Sequence, residues 1–418
     1  MRISVNKPGT IKLEFIFELL VCVFLTWYFL PISQALFWQY KTIMFGLFMF
    51  SAVALAFLNN IRLAKILIPI LSYMLLLTVL VLCKVGDAQE HIRVSFTYWG
   101  TALLYFAVLR DDARVRIGKY LLVLFIVTAI TSSVGVIADN NAARTIAHAA
   151  ADDELQQKYQ LQNIGGNQFF QCLVMLVPLL ICLPKRLWTK VAGWVIAIAV
   201  LVVLVNASFT IALIGYMLAL LLALFLKEEK QTAKGLLSLA LLTGVILVLA
   251  SNGSDILQYL GNNIENKAIA IRMHELREMI YFDNAQGDAA MRVEQYTMSL
   301  KTFLQNPLGV GAYYSYVPGS NGLGYHSKIL DDLARFGILA IVFYVMFFRY
   351  YYQHLKNAWK RAGHPRIAIV IVLTWILLLF LNLGFRSGQE SIVMLFLMPA
   401  IPLMVEAHNN KRTSEEGI

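Results

Sequence analysis

Charged residues are scarce in this chain of 418 residues, because Asp, Glu, Lys and Arg together make up 14% of it. A typical soluble domain has about 25% charged residues. Hydrophobic residues account for 59% of the chain, and the mean hydropathy is +0.66. This balance excludes a soluble globular enzyme and a disordered chain. It predicts an all-α, polytopic integral membrane protein.

Cysteines and nucleotide-binding motifs are also lacking. The four cysteines, Cys22, Cys83, Cys172 and Cys182, lie within or at the ends of apolar runs and have no metal-ligand spacing. No glycine-rich loop ending in Lys-Ser or Lys-Thr occurs, so chemistry driven by nucleoside triphosphates is disfavoured. We expect neither a disulfide framework nor a metal or other cofactor.

Long apolar runs recur along the whole chain. A helix that crosses a bilayer needs about 20 mostly apolar residues. Twelve runs approach this length: Phe15–Leu30, Leu36–Leu58, Ile66–Cys83, Ser95–Leu109, Tyr120–Ala138, Asn167–Leu183, Val191–Val205, Phe209–Leu226, Gly235–Ala250, Ser327–Phe348, Ile367–Leu383 and Ser391–Val405. The sequence therefore predicts a single membrane domain over residues 1–418 with about 12 transmembrane helices.

The cations indicate the orientation of these spans. With a cytoplasmic N-terminus, 22 of the 35 Lys and Arg residues lie in the short inner segments, and 13 lie on the other side. Inner loops of membrane proteins collect Lys and Arg, so both termini are predicted to be cytoplasmic. The net charge of +10 therefore has a topological explanation and does not indicate a nucleic-acid partner.

Two outer segments, residues 139–166 and residues 251–326, are long. The second lies between the ninth and tenth spans and contains two helix-compatible stretches, Ile256–Phe282 and one that begins at Ala289 and ends before Asn306. Ser327 is a plausible N-cap of the tenth span. The second stretch carries an apolar stripe of Val293, Tyr296, Leu300, Phe303 and Leu304.

Several motifs in and after this loop resemble one family. They are Met291-Arg292-Val293-Glu294-Gln295-Tyr296, Asn306-Pro307-Leu308-Gly309-Val310-Gly311, and His326-Ser327 followed by Leu330-Asp331-Asp332-Leu333-Ala334-Arg335-Phe336-Gly337. In this order they resemble the O-antigen polymerase (Wzy) and O-antigen ligase superfamily. The motifs cover about 50 residues, whereas the topology is similar along the whole chain.

Two departures favour a polymerase over a ligase. The ligases carry an Arg near the outer start of the eighth span, where this chain has Phe209. Ser327 follows the histidine, in place of the Asn that is common in ligases.

The resemblance implies a membrane glycosyltransferase of GT-C-like type. Such an enzyme polymerises undecaprenyl-diphosphate-linked repeat units of O-antigen, capsule or exopolysaccharide on the periplasmic face of the bacterial inner membrane. His326 is the candidate base, because histidine accepts a proton near neutral pH. Arg292 is the first candidate to hold the diphosphate, because arginine binds phosphate oxygens in bidentate fashion. Alternatively, His326 is a structural histidine at the start of a helix at the membrane interface, and Arg292 is a solvated charge on an amphipathic helix.

Further candidates carry competing explanations. Arg272 and Arg277 would bind diphosphate or pair with Glu275 and Glu278. Arg335 would bind diphosphate or pair with Asp331 and Asp332 on the same helix. Arg386, in a short outer turn, is a further candidate to bind the diphosphate. The side chains of Tyr313 and Tyr314 would stack on sugar rings or anchor the interface. Asp152-Asp153-Glu154 would bind a metal or form solvated surface.

Other functions remain open at the level of sequence. An O-antigen ligase would transfer the finished glycan to lipid A-core. A 12-helix transporter would normally show repeated halves with broken helices at the midplane. Besides the lipid-linked glycan and membrane lipids, a chain-length regulator protein is a possible partner.

Overall fold

The computed structural model describes residues 13–59, 65, 67–82, 102, 104–147, 153–184, 186–226, 254–264, 270–271, 273–274, 277–278, 287–311, 323–324, 326–381 and 388–415. Every regular element within these ranges is helical, which confirms the predicted all-α class. The α-helices are α1 (Leu13–Phe29), α2 (Pro31–Phe37), α3 (Lys41–Asn59), α4 (Leu67–Leu82), α5 (Asp111–Ala138), α6 (Ala142–Ala147), α7 (Asp153–Leu161), α8 (Asn167–Val174), α9 (Val177–Cys182), α10 (Leu187–Ala207), α11 (Thr210–Leu226), α12 (254–263), α13 (Gly287–Gln305), α14 (Lys328–Phe336), α15 (Ile338–Arg361), α16 (Ile367–Leu381), α17 (Gly388–Ile392) and α18 (Met398–Glu415).

Several of the described helices suit a membrane. Four are long and apolar enough to cross one: Lys41–Asn59, Asp111–Ala138, Leu187–Ala207 and Gln389–Ala407. The pair α1 and α2 makes a fifth if it counts as one span bent by 95°. Shorter apolar helices lie at Leu67–Leu76, Asn167–Cys182, Ile211–Leu226 and Ile367–Leu381. The chain is therefore a polytopic membrane protein. The number of twelve spans stays a prediction, and its ninth member, Gly235–Ala250, lies outside the described residues.

Two predicted spans are interrupted. The sixth divides into α8 and α9, because Pro178 has no N–H to donate to the carbonyl of Val174. The tenth divides into α14 and α15 at Gly337, whose φ of +57° lies in the region that favours glycine.

Aromatic packing and one ion pair join the first helices. Phe24 of α1 stacks on Phe48 of α3 with ring centroids 4.4 Å apart. Arg116 of α5 donates to both carboxylate oxygens of the buried Glu18 of α1, with Nη2 2.8 Å from each. Apolar side chains such as Phe57 and Trp188 are exposed on the outside of the bundle, where lipid would cover them.

Candidate active site

The buried face of helix α13 is mostly polar. Gln295, Ser299 and Thr302 are buried with Met298, at the spacing of one helical face. The apolar stripe of this helix lies mostly outside its buried face. Val293, Leu300 and Leu304 are 49%, 43% and 65% exposed, while Tyr296 and Phe303 are half-buried. The predicted end of the helix before Asn306 is confirmed, since α13 ends at Gln305.

The hydroxyl of Ser299 connects α13 to the segment that precedes the candidate histidine. It accepts the backbone N–H of Gly324 at 2.8 Å and donates to Oδ1 of Asp331 at 2.6 Å. Gly324 also passes so close to α13 that a Cβ there would lie 2.0 Å from the carbonyl oxygen of Gln295. The position of Gly324 is therefore fixed by two residues of α13.

His326 follows Gly324 by two residues and is half-buried at the start of α14. Its Nδ1 atom lies 3.2 Å from the carbonyl oxygen of Gly324. The hydroxyl of Ser327 accepts the backbone N–H of Leu330 at 3.2 Å, which confirms Ser327 as the N-cap of α14. The imidazole is thus held between a fixed glycine and a capped helix.

The buried carboxylate of Asp332 lies near three polar side chains. Its Oδ2 atom accepts from Nζ of Lys328 at 2.5 Å and from the hydroxyl of Tyr344 at 2.6 Å. Its Oδ1 atom lies 3.7 Å from Nη1 of Arg335, whose residue is 3% exposed. The intrahelical ion pair that the spacing of Arg335 indicates is therefore present. Buried charges need such partners, because an isolated one is costly.

The turn Pro307–Gly311 packs against the end of α14 through its backbone. Val310 N–H donates to the carbonyl of Ala334 at 3.0 Å, and Gly311 N–H donates to that of Arg335 at 2.9 Å. In return, Ile338 N–H donates to the carbonyl of Pro307 at 2.9 Å. The last carbonyls of a helix have no intrahelical partner, so these bonds terminate α14 on the turn.

Two glycines make this close packing possible. Gly309 has a φ of +89°, and a Cβ there would lie 2.2 Å from the carbonyl oxygen of Arg335. A Cβ at Gly337 would lie 2.1 Å from the carbonyl oxygen of Pro307. The glycines of the sequence motifs therefore hold the turn and the helix break together.

Arg292 lies half-buried on α13, two helical turns before Ser299. One turn after it is Tyr296, whose hydroxyl donates to the carbonyl of Leu381 at 2.7 Å. Burial raises the pKa of Tyr296, and the neighbouring Arg292 charge opposes that rise. The guanidinium of Arg292 therefore lies beside the tyrosine ring, on the helix that fixes Gly324.

The remaining predicted site residues are distributed as follows. Arg277 donates through Nε to the hydroxyl of Ser254 at 3.1 Å, and its Nη1 lies 3.0 Å from Glu278 Oε1. The local ion pairing considered for Arg277 is therefore present. The other candidates lie outside the described residues: Arg272, Arg386, Tyr313 and Tyr314.

The acidic triplet in the first outer segment gives no further indication of a metal. Asp153 and Glu154 begin α7, and Asp152 lies outside the described residues. Among the residues that the structure describes, no group of three or more His, Cys, Asp or Glu side chains is arranged to hold a metal ion.

Ser299 is not among the residues predicted for the site, and Asp331 is predicted only as a possible ion-pair partner of Arg335. A serine on a helix carries no signal of its own, since its role depends on Gly324 and Asp331, which are 25 and 32 residues away. Asp331 and Asp332 carry a usable signal, because ionisable residues inside a predicted span are rare and generally have partners.

One family model matches the chain. It is described as O-antigen ligase and covers residues 194–345, from α10 into α15, so that it includes Arg292 and His326. No curated protein matches the chain. Over residues 194–345 the chain is similar to the O-antigen ligase family, whose members have a glycosyltransferase-like activity on lipid-linked glycans. The match does not distinguish a polymerase from a ligase.

Proposed function

We propose that the chain polymerises undecaprenyl-diphosphate-linked oligosaccharide repeat units on the periplasmic face of the bacterial inner membrane. The family match and the apolar helices support transfer of a lipid-linked glycan by a membrane enzyme. The acceptor would be the terminal sugar of another lipid-linked unit. The outer segments 139–166 and 251–326 would face the periplasm in this proposal.

The reaction needs a base and an anion site but no nucleotide. An acceptor hydroxyl oxygen forms a bond to the anomeric carbon of the donor sugar. The bond between that carbon and the diphosphate oxygen breaks, and undecaprenyl diphosphate leaves with the electron pair. The hydroxyl proton passes to the base, so that atoms and charge balance.

His326 is the proposed base. If its Nδ1–H donates to the carbonyl of Gly324, which lies 3.2 Å away, Nε2 keeps the lone pair that accepts the proton. Because Gly324 is fixed by Ser299 and Gln295, the imidazole has little freedom to turn. A base held in this way transfers a proton efficiently once the hydroxyl comes within hydrogen-bonding reach.

Arg292 is the proposed contact to the diphosphate. Its guanidinium can hold two phosphate oxygens as negative charge builds on the leaving group. Arg277 and Arg335 form ion pairs with Glu278 and Asp332. In this proposal they add positive potential to the site without contacting the diphosphate. Arg272 and Arg386 would add cations, and Tyr313 and Tyr314 would stack on sugar rings.

The link between Ser299 and Gly324 carries the proposal. It attaches the segment that holds His326 to the helix that holds Arg292, although the two residues are 34 positions apart in the chain. The base must act on the attacking hydroxyl and the diphosphate-binding cation on the leaving group, on opposite sides of one anomeric carbon. One helix that fixes both is the arrangement such a reaction requires.

A ligase is the second candidate, since the matching family model is described as O-antigen ligase. The surroundings of Phe209 favour the polymerase. Phe209 is half-buried, and its ring packs on Phe170 with centroids 5.6 Å apart. An apolar contact therefore occupies the position where the ligases carry an arginine.

The acceptor distinguishes the two candidates. Purified protein would receive lipid-linked repeat units alone, and then the same units together with lipid A-core. Lengthened lipid-linked product in the first reaction supports the polymerase. Transfer that occurs only after addition of lipid A-core supports the ligase, and no transfer in either reaction contradicts both.

A further inference from the structure

A second polar site lies far from His326, at the other end of α15. It is a cavity of about 300 Å³ between the start of α5, the end of α15 and the helix α18. Asn357 of its wall follows Tyr344, the partner of Asp332, by 13 residues of continuous helix, or about 20 Å. This volume is at the lower end of the range for small-molecule pockets.

Arg114 is the central cation of the cavity and is 7% exposed. Its Nη2 donates to the carbonyl of Tyr105 at 2.7 Å, and its Nη1 lies 3.3 Å from Oδ1 of Asp111. Its Nε is buried and has no hydrogen-bond partner among the described residues. A buried donor without a partner is costly, so the guanidinium of Arg114 is incompletely satisfied in the structure.

Three further polar side chains line the cavity. Arg361 is half exposed and pairs with Glu406 at 3.1 Å, and Asn357 is exposed beside it. His354 lies against the rings of Tyr105 and Phe106. Burial, and to a lesser extent the Arg114 charge, lowers the pKa of His354 from 6.5 to about 4, so that it is neutral at pH 7.

The lining offers hydrogen-bond donors to an anion. Two guanidinium groups, Arg114 and Arg361, each pair with one carboxylate, Asp111 and Glu406, through one part of the planar fork, and the neutral imidazole adds a hydrogen-bonding group without charge. Arginine binds phosphate oxygens through its planar fork. Ala358, Pro399 and Leu403 form an apolar wall beside these groups, which suits the glycerol or acyl part of a lipid.

We propose that this cavity binds a singly charged phosphate group, with the head group of an anionic phospholipid as its natural source. The predicted topology supports this source, because Arg114 and Arg361 both lie in inner segments that border the cytoplasmic leaflet. Basic pockets between transmembrane helices on that side suit anionic head groups. Free phosphate offers the same chemistry. The proposal is independent of the glycan transfer proposed above.

Thermal unfolding of the purified full chain in neutral detergent tests the site. Short-chain phosphatidylglycerol, short-chain phosphatidylcholine and inorganic phosphate would be added separately over a range of concentrations. A ligand that binds only the folded state raises the midpoint, and above its dissociation constant the rise grows with the logarithm of the ligand concentration. We expect phosphatidylglycerol to raise it and phosphatidylcholine to leave it unchanged. A rise with inorganic phosphate alone supports the site but assigns free phosphate as its ligand.

Arg361→Gln and Lys360→Gln form a matched pair of variants. Both remove one exposed positive charge from the last turn of α15, but only Arg361 lines the cavity. The apparent dissociation constant of the anion should rise about fivefold in Arg361→Gln, a modest effect for a half-exposed cation, and stay unchanged in Lys360→Gln. In Arg114→Gln it should rise more than tenfold.

Two outcomes would overturn the proposal. One is that neither anion shifts the midpoint of the wild-type protein. The other is an equal loss in Arg361→Gln and Lys360→Gln, which would indicate attraction to surface charge instead of a site. If Arg114→Gln does not fold, the first pair and Asn357→Ala decide, because both Asn357 and Arg361 are exposed.

Discussion

The hydroxyl of Ser299 lies 2.6 Å from Oδ1 of Asp331, and through this bond α13 holds α14. The same hydroxyl accepts the N–H of Gly324, whose carbonyl oxygen faces Nδ1 of His326. Ser299 therefore joins a buried carboxylate to the segment that carries the proposed base. The residue is 1% exposed, so in the proposed reaction it would position His326 without contacting a substrate.

Ser299→Ala should lower kcat about tenfold and change KM little, because His326 loses its fixed neighbour while the substrate contacts remain. The loss of both hydrogen bonds should also lower the free energy of unfolding by about 1–3 kcal/mol. Steady-state kinetics and thermal unfolding of the purified variant measure the two effects. Thr297→Ala removes an exposed hydroxyl from the same helix and serves as the control. Equal kinetics in the two variants would show that Ser299 does not position the base.

Gly309→Ala and Gly337→Ala should each destabilise the protein by more than about 2 kcal/mol. Both residues have positive φ, and each added Cβ would lie within 2.2 Å of a backbone oxygen. The midpoint of thermal unfolding and the amount of protein in the membrane report the effect. Gly46→Ala in α3 is the control, since a Cβ there meets nothing within 4 Å. A wild-type midpoint in both test variants would contradict the packing of the turn against α14.

Asp332→Asn should lower the free energy of unfolding by about 3–5 kcal/mol, because it leaves Lys328 and Arg335 buried beside a neutral group. The side chains of these two residues are 10% and 3% exposed, so water cannot replace the carboxylate easily. Chemical or thermal unfolding in detergent measures the change. The exposed Asp255→Asn provides the matched control, and a similar small effect in both variants would show that the network adds no stability.

The all-α class and some local helix ends are predictable from the sequence. Apolar length predicts the membrane helices, Ser327 predicts its own N-cap, and Asn306-Pro307 predicts the end of α13. These features depend on neighbouring residues in the chain, so they can be read from short stretches of sequence. The same holds for the ion pair between Asp332 and Arg335, which are three residues apart on one helix.

Features that depend on distant parts of the chain were not predictable. The apolar stripe of α13 does not identify its buried face, because the helix buries Ser299, for which Gly324 and Asp331 supply partners. Likewise, the span that begins at Ser327 is interrupted at Gly337, because the turn Pro307–Gly311 packs there through backbone bonds. A hydrophobic pattern contains no information about such backbone contacts.

In the proposed function, His326 and Arg292 serve one transfer reaction. His326→Ala and Arg292→Ala should each slow elongation about 100-fold or more, since a general base and an electrostatic stabiliser each contribute at least that much. Lys301→Ala, which removes an exposed cation from the same helix, should elongate normally.

The most direct measurement is the length distribution of lipid-linked glycans in cells that produce each variant, with the amount of protein in the membrane measured alongside. Single repeat units should accumulate in His326→Ala and Arg292→Ala at unchanged protein levels, while Lys301→Ala should give the wild-type ladder. Normal ladders from both His326→Ala and Arg292→Ala would exclude the proposed roles of these two residues.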